Sequence, residues 1–243
     1  MYTGKGMQDK KRKLSIIIPV FNEENVVVES ITRVIKAKLG NWGKEIIIVD
    51  DGSKDKSRIK IKNLIRSVSF EKIKFITHKR NRGKGAAIQT ALKYVTGDAV
   101  IVQDADLEYD PNDIPKLLKR LKRGDAQIIF GSRQAHVSKK DEIMYVWGIN
   151  LSTHLINLLY GSKITDIYTC YKLYTKECLE RASAKSRSFE WDIEFVVKLL
   201  KKSYKIAEVP ISYHPRKFSE GKKIKVWDGL TGLWIIFKYR FVN

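Results

Sequence analysis

The chain has 243 residues, 43% of them hydrophobic, enough to bury the core of one large domain or two small ones. Its formal net charge of +20 implies an anionic partner, whether nucleic acid, an anionic membrane surface or phosphorylated substrates. Only two cysteines occur, neither in a CxxC pair, which argues against a zinc site and a disulfide framework and fits a reducing cytoplasm.

Residues 1–13 hold five basic residues against one acid and lack the apolar core of a signal peptide, so they read as a disordered tail. Residues 14–20 form an apolar run containing Pro19 and predict a strand, followed by a turn at Phe21-Asn22-Glu23-Glu24 and a helix to about residue 38. Residues 45–49 are again strand-like, Asp50-Asp51-Gly52-Ser53 turns, and 54–68 can be helical. Residues 72–77 predict a third strand, 81–85 a glycine-containing loop, and 86–94 a helix. Strands alternating with helices predict an α/β fold with a doubly wound, mostly parallel sheet covered on both faces. No linker and no internal repeat divides residues 14–225, which read as one domain.

The next strand, near residues 98–102, ends in Asp104-Ala105-Asp106. In extended backbone, residues two apart share a face, so the two carboxylates repel unless a cation lies between them. A hard divalent ion, Mg²⁺ or Mn²⁺, suits such oxygens and leaves room for substrate phosphates. The plainer alternative is that both aspartates only begin the turn before the helix near Pro111. Ligands of doubly wound sheets bind beyond the carboxyl ends of the strands, and Asn22, Glu23, Asp50, Asp51, Ser53, Asp104 and Asp106 all fall there. A fifth apolar strand, 127–130, is followed by Gly131-Ser132-Arg133. That arginine is placed either for bidentate phosphate contact or for pairing with a carboxylate in the crevice. Asp166 could orient an acceptor, orient a basic neighbour, or satisfy local backbone donors.

Residues 188–202 predict a helix whose Phe189 and Trp191 read as packing rather than a sugar platform, and 204–211 predict a strand. Residues 214–225 carry five Lys/Arg, including Arg216, Lys222 and Lys223, and read either as a basic lid over phosphates or as a solvated charge run. The last segment, 226–243, predicts an amphipathic helix. Its longest uncharged run, 229–237, is far short of the ~20 residues needed to cross a bilayer. Rich in Trp and Tyr and flanked by Lys225, Lys238 and Arg240, it could lie in a membrane interface or pack on the core.

These motifs resemble a family. Ile18-Pro19-Val20-Phe21-Asn22-Glu23, Val49-Asp50-Asp51-Gly52-Ser53, Asn81-Arg82-Gly83-Lys84-Gly85, Asp104-Ala105-Asp106-Leu107 and Gly131-Ser132-Arg133 occur in the order seen in family 2 glycosyltransferases of the GT-A fold. The similarity continues through Thr165-Asp166, Cys170-Tyr171-Lys172, Glu208-Val209-Pro210 and Arg216, and looks most like the dolichol-phosphate mannose synthase and polyprenyl-phosphate glycosyltransferase branch. It implies that Pro19, Asn22, Glu23, Asp50, Asp51 and Ser53 hold the base and ribose of a sugar nucleotide. It further implies that Asn81, Gly83, Lys84 and Gly85 approach the nucleotide, the glycines avoiding side-chain clash. Asp104 and Asp106 would be metal ligands and catalytic together with Arg133. Ser132, Arg133, Asp166, Arg216, Lys222 and Lys223 would serve the acceptor phosphate.

Hydroxyl-directed members of this family carry an adjacent Glu-Asp pair as general base, whereas here the region reads Phe189-Glu190-Trp191-Asp192, with the pair interrupted. A hydroxyl nucleophile needs such a base. A lipid monophosphate, largely ionised at pH 7, needs cations instead. The expectation is therefore inverting, metal-dependent transfer of a hexose from a GDP- or UDP-sugar to a polyprenyl phosphate. The enzyme would be peripheral at the cytoplasmic membrane face. The alternatives are a hydroxyl or glycan acceptor, with Glu190 or Asp192 as base, and a basic nucleic-acid-binding protein. The last fails to explain clustered carboxylates, so no nucleic-acid partner is expected.

Overall fold

The computed structural model describes residues 11–70, 72–133, 143–216 and 226–242, with side chains left aside at 143–147, 149 and 226–228. The strands are β1 (Lys13–Val20), β2 (Gly43–Asp50), β3 (Ile73–Thr77), β4 (Ala99–Val102), β5 (Ile128–Ser132), β6 (Lys172–Thr175) and β7 (Ile206–Pro210). The helices are α1 (Val27–Lys36), α2 (Ser57–Ser67), α3 (Lys84–Leu92), α4 (Ile114–Leu121), α5 (Ile143–Tyr160), α6 (Lys176–Arg181), α7 (Glu190–Lys201) and α8 (Val226–Phe241). The strands make one seven-stranded sheet in the order β3-β2-β1-β4-β6-β5-β7. All pairings are parallel except those of β6, which runs antiparallel to both β4 and β5.

The alternation of side chains along each strand divides the molecule into two cores. Ile16 and Ile18 of β1, Ile46 and Ile48 of β2 and Ile101 of β4 pack on one face with α1, α2 and α4. Ile17, Ile47, Val49, Val100 and Val102 point the other way, onto α3, α5, α7 and α8. Central strands buried on both faces must be apolar without interruption, which is why they read as β-branched runs. On α1 the buried Val27, Ile31 and Val34 recur at helical spacing. Lys44 of β2 closes that helix, its Nζ donating to the carbonyls of Val34, Ile35 and Ala37.

The parallel frame agrees with the sequence expectation, as do β1, β7, α7 and α8 within a few residues. Strand β6, helix α6 and the 18-residue helix α5 were not anticipated. The four residues of β6 are too few to show a pattern of their own, and α5 is apolar nearly all round. The direction of β6 decides which of its ends faces solvent beside the other strands' carboxyl termini. Because it opposes its neighbours, its entering segment, Tyr168 to Tyr171, lies there.

Helix α8 both packs on the core and faces outward. Ile235, Ile236 and Tyr239 are buried, and the carbonyl of Ile236 accepts from Tyr160 Oη of α5 at 2.7 Å. Leu230, Trp234, Phe237 and Phe241 are exposed, as are Leu151 and Leu158 of α5. None of the described helices is long and apolar enough to cross a membrane. Of the predicted tail, 1–13, residues 1–10 lie outside the described residues and Lys13 instead begins β1; Lys222, Lys223 and most of the predicted lid also lie outside them.

Candidate active site

A cleft of about 460 Å³ opens beyond the carboxyl ends of β1 and β4, where the strand order reverses. Pro19, Glu23, Asp51, Asn81, Gly83, Lys84, Asp104, Asp106, Arg133 and Arg216 line it, as the sequence anticipated. Asn22, Asp50, Ser53, Gly85, Ser132 and Asp166 are not among its lining residues.

The first three of these, expected at the donor, hold loops together beside the cleft. Asn22, with a left-handed φ of 51°, donates its N–H to Ser53 Oγ (3.0 Å) and accepts from Lys54 N (2.9 Å), clamping the two loops after β1 and β2 together. Asp50 is fully buried and accepts from Arg58 Nε at 2.8 Å and from the Ser53 N–H at 3.3 Å. Consecutive residues at a strand end point to opposite sides, so only one aspartate of the pair, Asp51, reaches the cleft.

Asp51 in turn holds the glycine loop. Its carboxylate accepts from the backbone N–H groups of Arg82 (3.0 and 3.1 Å) and Gly83 (2.8 Å) and from His78 Nδ1 (2.6 Å). The close approach that the two glycines permit is to protein backbone and a tryptophan. A Cβ on Gly83, whose φ is +97°, would lie 2.3 Å from the Arg187 carbonyl oxygen, and one on Gly85 would lie 2.5 Å from Trp191 Cβ. Arg187 O also accepts from Ala86 N at 2.9 Å. Buried Glu194 anchors the segment before it, accepting from the N–H groups of Lys185 (3.0 Å) and Ser186 (2.8 Å) and from Lys198 Nζ (2.5 Å). Burial pushes its carboxyl up, but these donors bring it down to about 2. That segment delivers Ser188 and Phe189 to the cleft wall.

The central aspartates lie just past β4, each beside a cation. Lys84 Nζ sits 2.6 and 2.8 Å from the two oxygens of Asp104 and 3.4 Å from Cys170 Sγ. Burial pushes the Asp104 carboxyl up, but Lys84, Cys170 and Arg216 together outweigh it and hold the group below its ordinary range. Arg216 reaches Asp106 at 3.2 Å and Glu23 at 3.1 and 3.2 Å, and its backbone N–H donates to Glu108 at 3.0 Å. Arg216 therefore stands against the acidic residues at the end expected to take the donor, not the acceptor. The Asp106 carboxyl is pushed up to about 7 by burial and by the neighbouring charges of Asp104 and Glu108. Such a group gains from an added cation. Among the described residues no cluster of three or more His, Cys, Asp or Glu could cage an ion. The donor set fits Mg²⁺ or Mn²⁺ held by one or two carboxylates and completed by substrate phosphates.

The opposite wall is cationic and aromatic. Arg133 pairs bidentately with Asp166 (2.6 and 2.9 Å) and lies 4.9 Å from the centre of the Tyr213 ring. Asp166 thus orients Arg133 from behind, and Ser132 Oγ meets Thr165 Oγ1 (2.9 Å) rather than the cleft. Tyr168, Cys170, Tyr109 and Tyr213 complete this side, with Tyr109 and Tyr213 joined by an isolated bridge. Of these only Cys170 belongs to one of the family motifs. Glu108 and Tyr109, directly after the aspartates, were within reach of the same spacing argument. Burial raises the Cys170 thiol to about 12, so it remains protonated. Neither Glu190 nor Asp192 lines the cleft. Glu190 accepts from Ser188 N (3.4 Å) at the start of α7, and Asp192 is paired with Lys172 and accepts from Tyr174 Oη (3.2 Å). Trp191 is buried and stacked on Phe195, as expected of packing, whereas Phe189 sits on the rim.

Residues 15–182 match the glycosyl transferase family 2 model. The chain belongs to that family. Among curated relatives, the family 2 chain is 31% identical over 215 residues to a dolichol-phosphate mannosyltransferase of Pyrococcus furiosus, covering 86% of this chain and 59% of that protein. It is 28% identical over 210 residues to a low-salt glycan biosynthesis hexosyltransferase of Haloferax volcanii, covering 84% and 48%. With a dodecaprenyl-phosphate galacturonate synthase of Rhizobium johnstonii it shares 26% over 240 residues, covering 94% and 68%. This glycosyltransferase chain thus spans about half to two thirds of these relatives. Its fold is that of glucosyl-3-phosphoglycerate synthase of Mycobacterium tuberculosis, crystallised with Mn²⁺, UDP and phosphoglyceric acid, at a TM-score of 0.72 and 17% identity, over 96% of this chain and 80% of that one. It is the GT-A fold expected from the motifs.

Proposed function

We propose that this family 2 glycosyltransferase moves a hexose, with inversion, from a GDP- or UDP-sugar to a polyprenyl phosphate. The observation that carries this reading is the polarity of the cleft. Acids with two cations line one end, a buried arginine among tyrosines lines the other, and both candidate bases, Glu190 and Asp192, are engaged outside it. A phosphate acceptor is already ionised near neutral pH, its second pKa being ~6. It therefore requires a cation to position it and no side chain to remove a proton. The curated relatives with polyprenyl-phosphate names support the same acceptor class.

In this reading Asp51 and Glu23 accept hydrogen bonds from the base or ribose, while Lys84 and Arg216 face the diphosphate. Asp106, with Asp104 beside it, would hold Mg²⁺ or Mn²⁺, which neutralises charge on the departing nucleoside diphosphate. Arg133, aimed by its bidentate pairing with Asp166, positions the acceptor phosphate for in-line attack. The apolar outer faces of α5 and α8, with Lys238 and Arg240 in the last turn of α8, support peripheral docking on the anionic cytoplasmic face of a membrane.

A donor screen tests this directly. UDP- and GDP-hexoses are supplied with Mg²⁺ or Mn²⁺, with and without polyprenyl phosphate, and radiolabel is scored in the organic phase. Label entering lipid only with polyprenyl phosphate is the expected result. Transfer confined to a sugar hydroxyl, or to a small phosphorylated acid, would overturn the lipid assignment.

A further inference from the structure

We propose that His78 is a positioning residue for the nucleotide end of the cleft, acting through Asp51. The proposal rests on the reading that this end takes the donor nucleotide. His78 follows β3 and is itself buried, with 7% of its surface exposed, so it does not line the cleft. Its ring spans two elements. Nδ1 lies 2.6 Å from Asp51 Oδ1, and Nε2 lies 2.9 Å from Thr90 Oγ1 on α3.

The hydrogen-bond inventory sets the direction of the first bond. Asp51 accepts two backbone N–H groups, from Arg82 and Gly83, so its oxygens serve as acceptors there. An ionised carboxylate only accepts, so the proton of the short contact resides on His78 Nδ1. The Thr90 hydroxyl is 3.0 Å from the Ala86 carbonyl oxygen, and it can donate there while accepting from Nε2, or donate to Nε2 instead. Either state leaves Nδ1–H on Asp51. The carboxylate then has three donors from one short loop, with the Arg82 N–H shared between both oxygens, so Oδ1 and Oδ2 each meet two and the group is held in one orientation. Since Asp51 lines the cleft, a carboxylate held this way presents a fixed edge to an N–H or O–H of a bound base or ribose.

Packing alone does not require this arrangement. An apolar side chain would fill the space behind Asp51 but would leave Oδ1 with one donor, the shared Arg82 N–H, instead of two. The backbone of His78 is itself fixed, its N–H donating to Asp50 O (2.8 Å) and its carbonyl accepting from Arg58 (3.1 Å). The ring therefore links β2, β3 and α3 at the floor of the nucleotide end.

Two substitutions separate the roles of the ring nitrogens. The amide nitrogen of asparagine falls near the place of Nδ1, and that of glutamine near Nε2. Binding of UDP and of GDP with Mg²⁺ to the full chain, by isothermal titration, is compared for wild type, His78→Asn, His78→Gln and Asp51→Asn. For whichever nucleotide binds the wild type, His78→Gln is expected to weaken binding about 10-fold and His78→Asn by less than about threefold. In turnover, the loss in His78→Gln appears in KM for the nucleotide sugar, with kcat within about twofold. Equal affinities for the Asn and Gln variants would overturn the proposal while leaving the donor reading intact, provided Asp51→Asn binds weakly. Wild-type affinity in Asp51→Asn, or no binding of either nucleotide to the wild type, overturns the donor reading and this inference with it. Nitrogen-resolved NMR of the wild-type histidine ring needs no variant to fold. A protonated Nδ1 whose resonance moves on nucleotide addition is expected, and an unprotonated Nδ1 would overturn the assignment.

Discussion

The two ends of the cleft solve the same problem, burying charge, in opposite ways. At the acidic end Glu23, Asp104, Asp106 and Glu108 crowd together and share two cations, Lys84 and Arg216, so Asp106 remains an acid pushed up to about 7. At the other end one cation, Arg133, is matched by one carboxylate, Asp166, in bidentate geometry, with an aromatic ring beside it. The first arrangement is short of positive charge and suits a ligand that brings a cation with its phosphates. The second is balanced within itself and holds one guanidinium at a fixed place, which suits recognition of a single phosphate.

Substitutions at the two ends test that contrast. The largest effect is expected at the acidic end, where Asp106→Ala should reduce transfer by about 10³-fold or more. Chelation of divalent ions should do the same to the wild type, and full activity in either case would remove the cation from the mechanism. Arg133→Ala leaves Asp166 buried without its partner and should cost about 3 kcal/mol of stability. The double variant Arg133→Ala with Asp166→Asn should recover part of that loss in chemical denaturation while remaining unable to use the acceptor.

Behind the cleft wall, Glu194 anchors the segment that leads to Ser188 and Phe189. Its folded value of about 2 lies below the ordinary 4.5, so its contribution is complete above about pH 4.5 and is lost as pH falls through about 2. Glu194→Gln should therefore lower stability by about 2 kcal/mol at pH 7, allowing for solvent screening through Lys198, and the melting curves of variant and wild type should converge near pH 2. Arg216→Ala should raise the KM for the nucleotide sugar about 10-fold and change the acceptor KM little, the outcome that assigns it to the acidic end. The smallest effect is expected from Trp234→Ser, which should weaken binding to vesicles containing anionic lipid a few-fold and leave transfer to a water-soluble short-chain acceptor unchanged.

Glu23, Asp104 and Asp106 of the acidic end were legible in the sequence because they follow β1 and β4 within a few residues, so a local motif fixes a place in the fold; Glu108 was not singled out and Arg216 was expected with the acceptor. The same motifs did not show that Asn22, Asp50 and Ser53 lie off the cleft lining. Belonging to a motif does not say which side of the strand end a residue takes, and these three hold the loops to each other. The other end was mostly hidden. Tyr168 enters it because a four-residue strand runs against its neighbours, and Tyr213 because it bridges to Tyr109 across the sequence. Arg133 was found, but its partnership with Asp166 stood as one alternative among others, since nothing local to either segment says that the two lie side by side.

The pairing of Arg216 with Glu23 joins residues 193 positions apart. During synthesis the first strand–helix unit, and with it Glu23, emerges early, followed by Asp104, Asp106 and Glu108. Until Arg216 emerges, that acidic group lacks one of its two cations. Contacts of such long sequence separation form late and slow folding. A nascent or truncated chain ending before residue 216 is thus left with surplus negative charge at the acidic end of the cleft, so the charge balance of that end is set only after the seventh strand has been made.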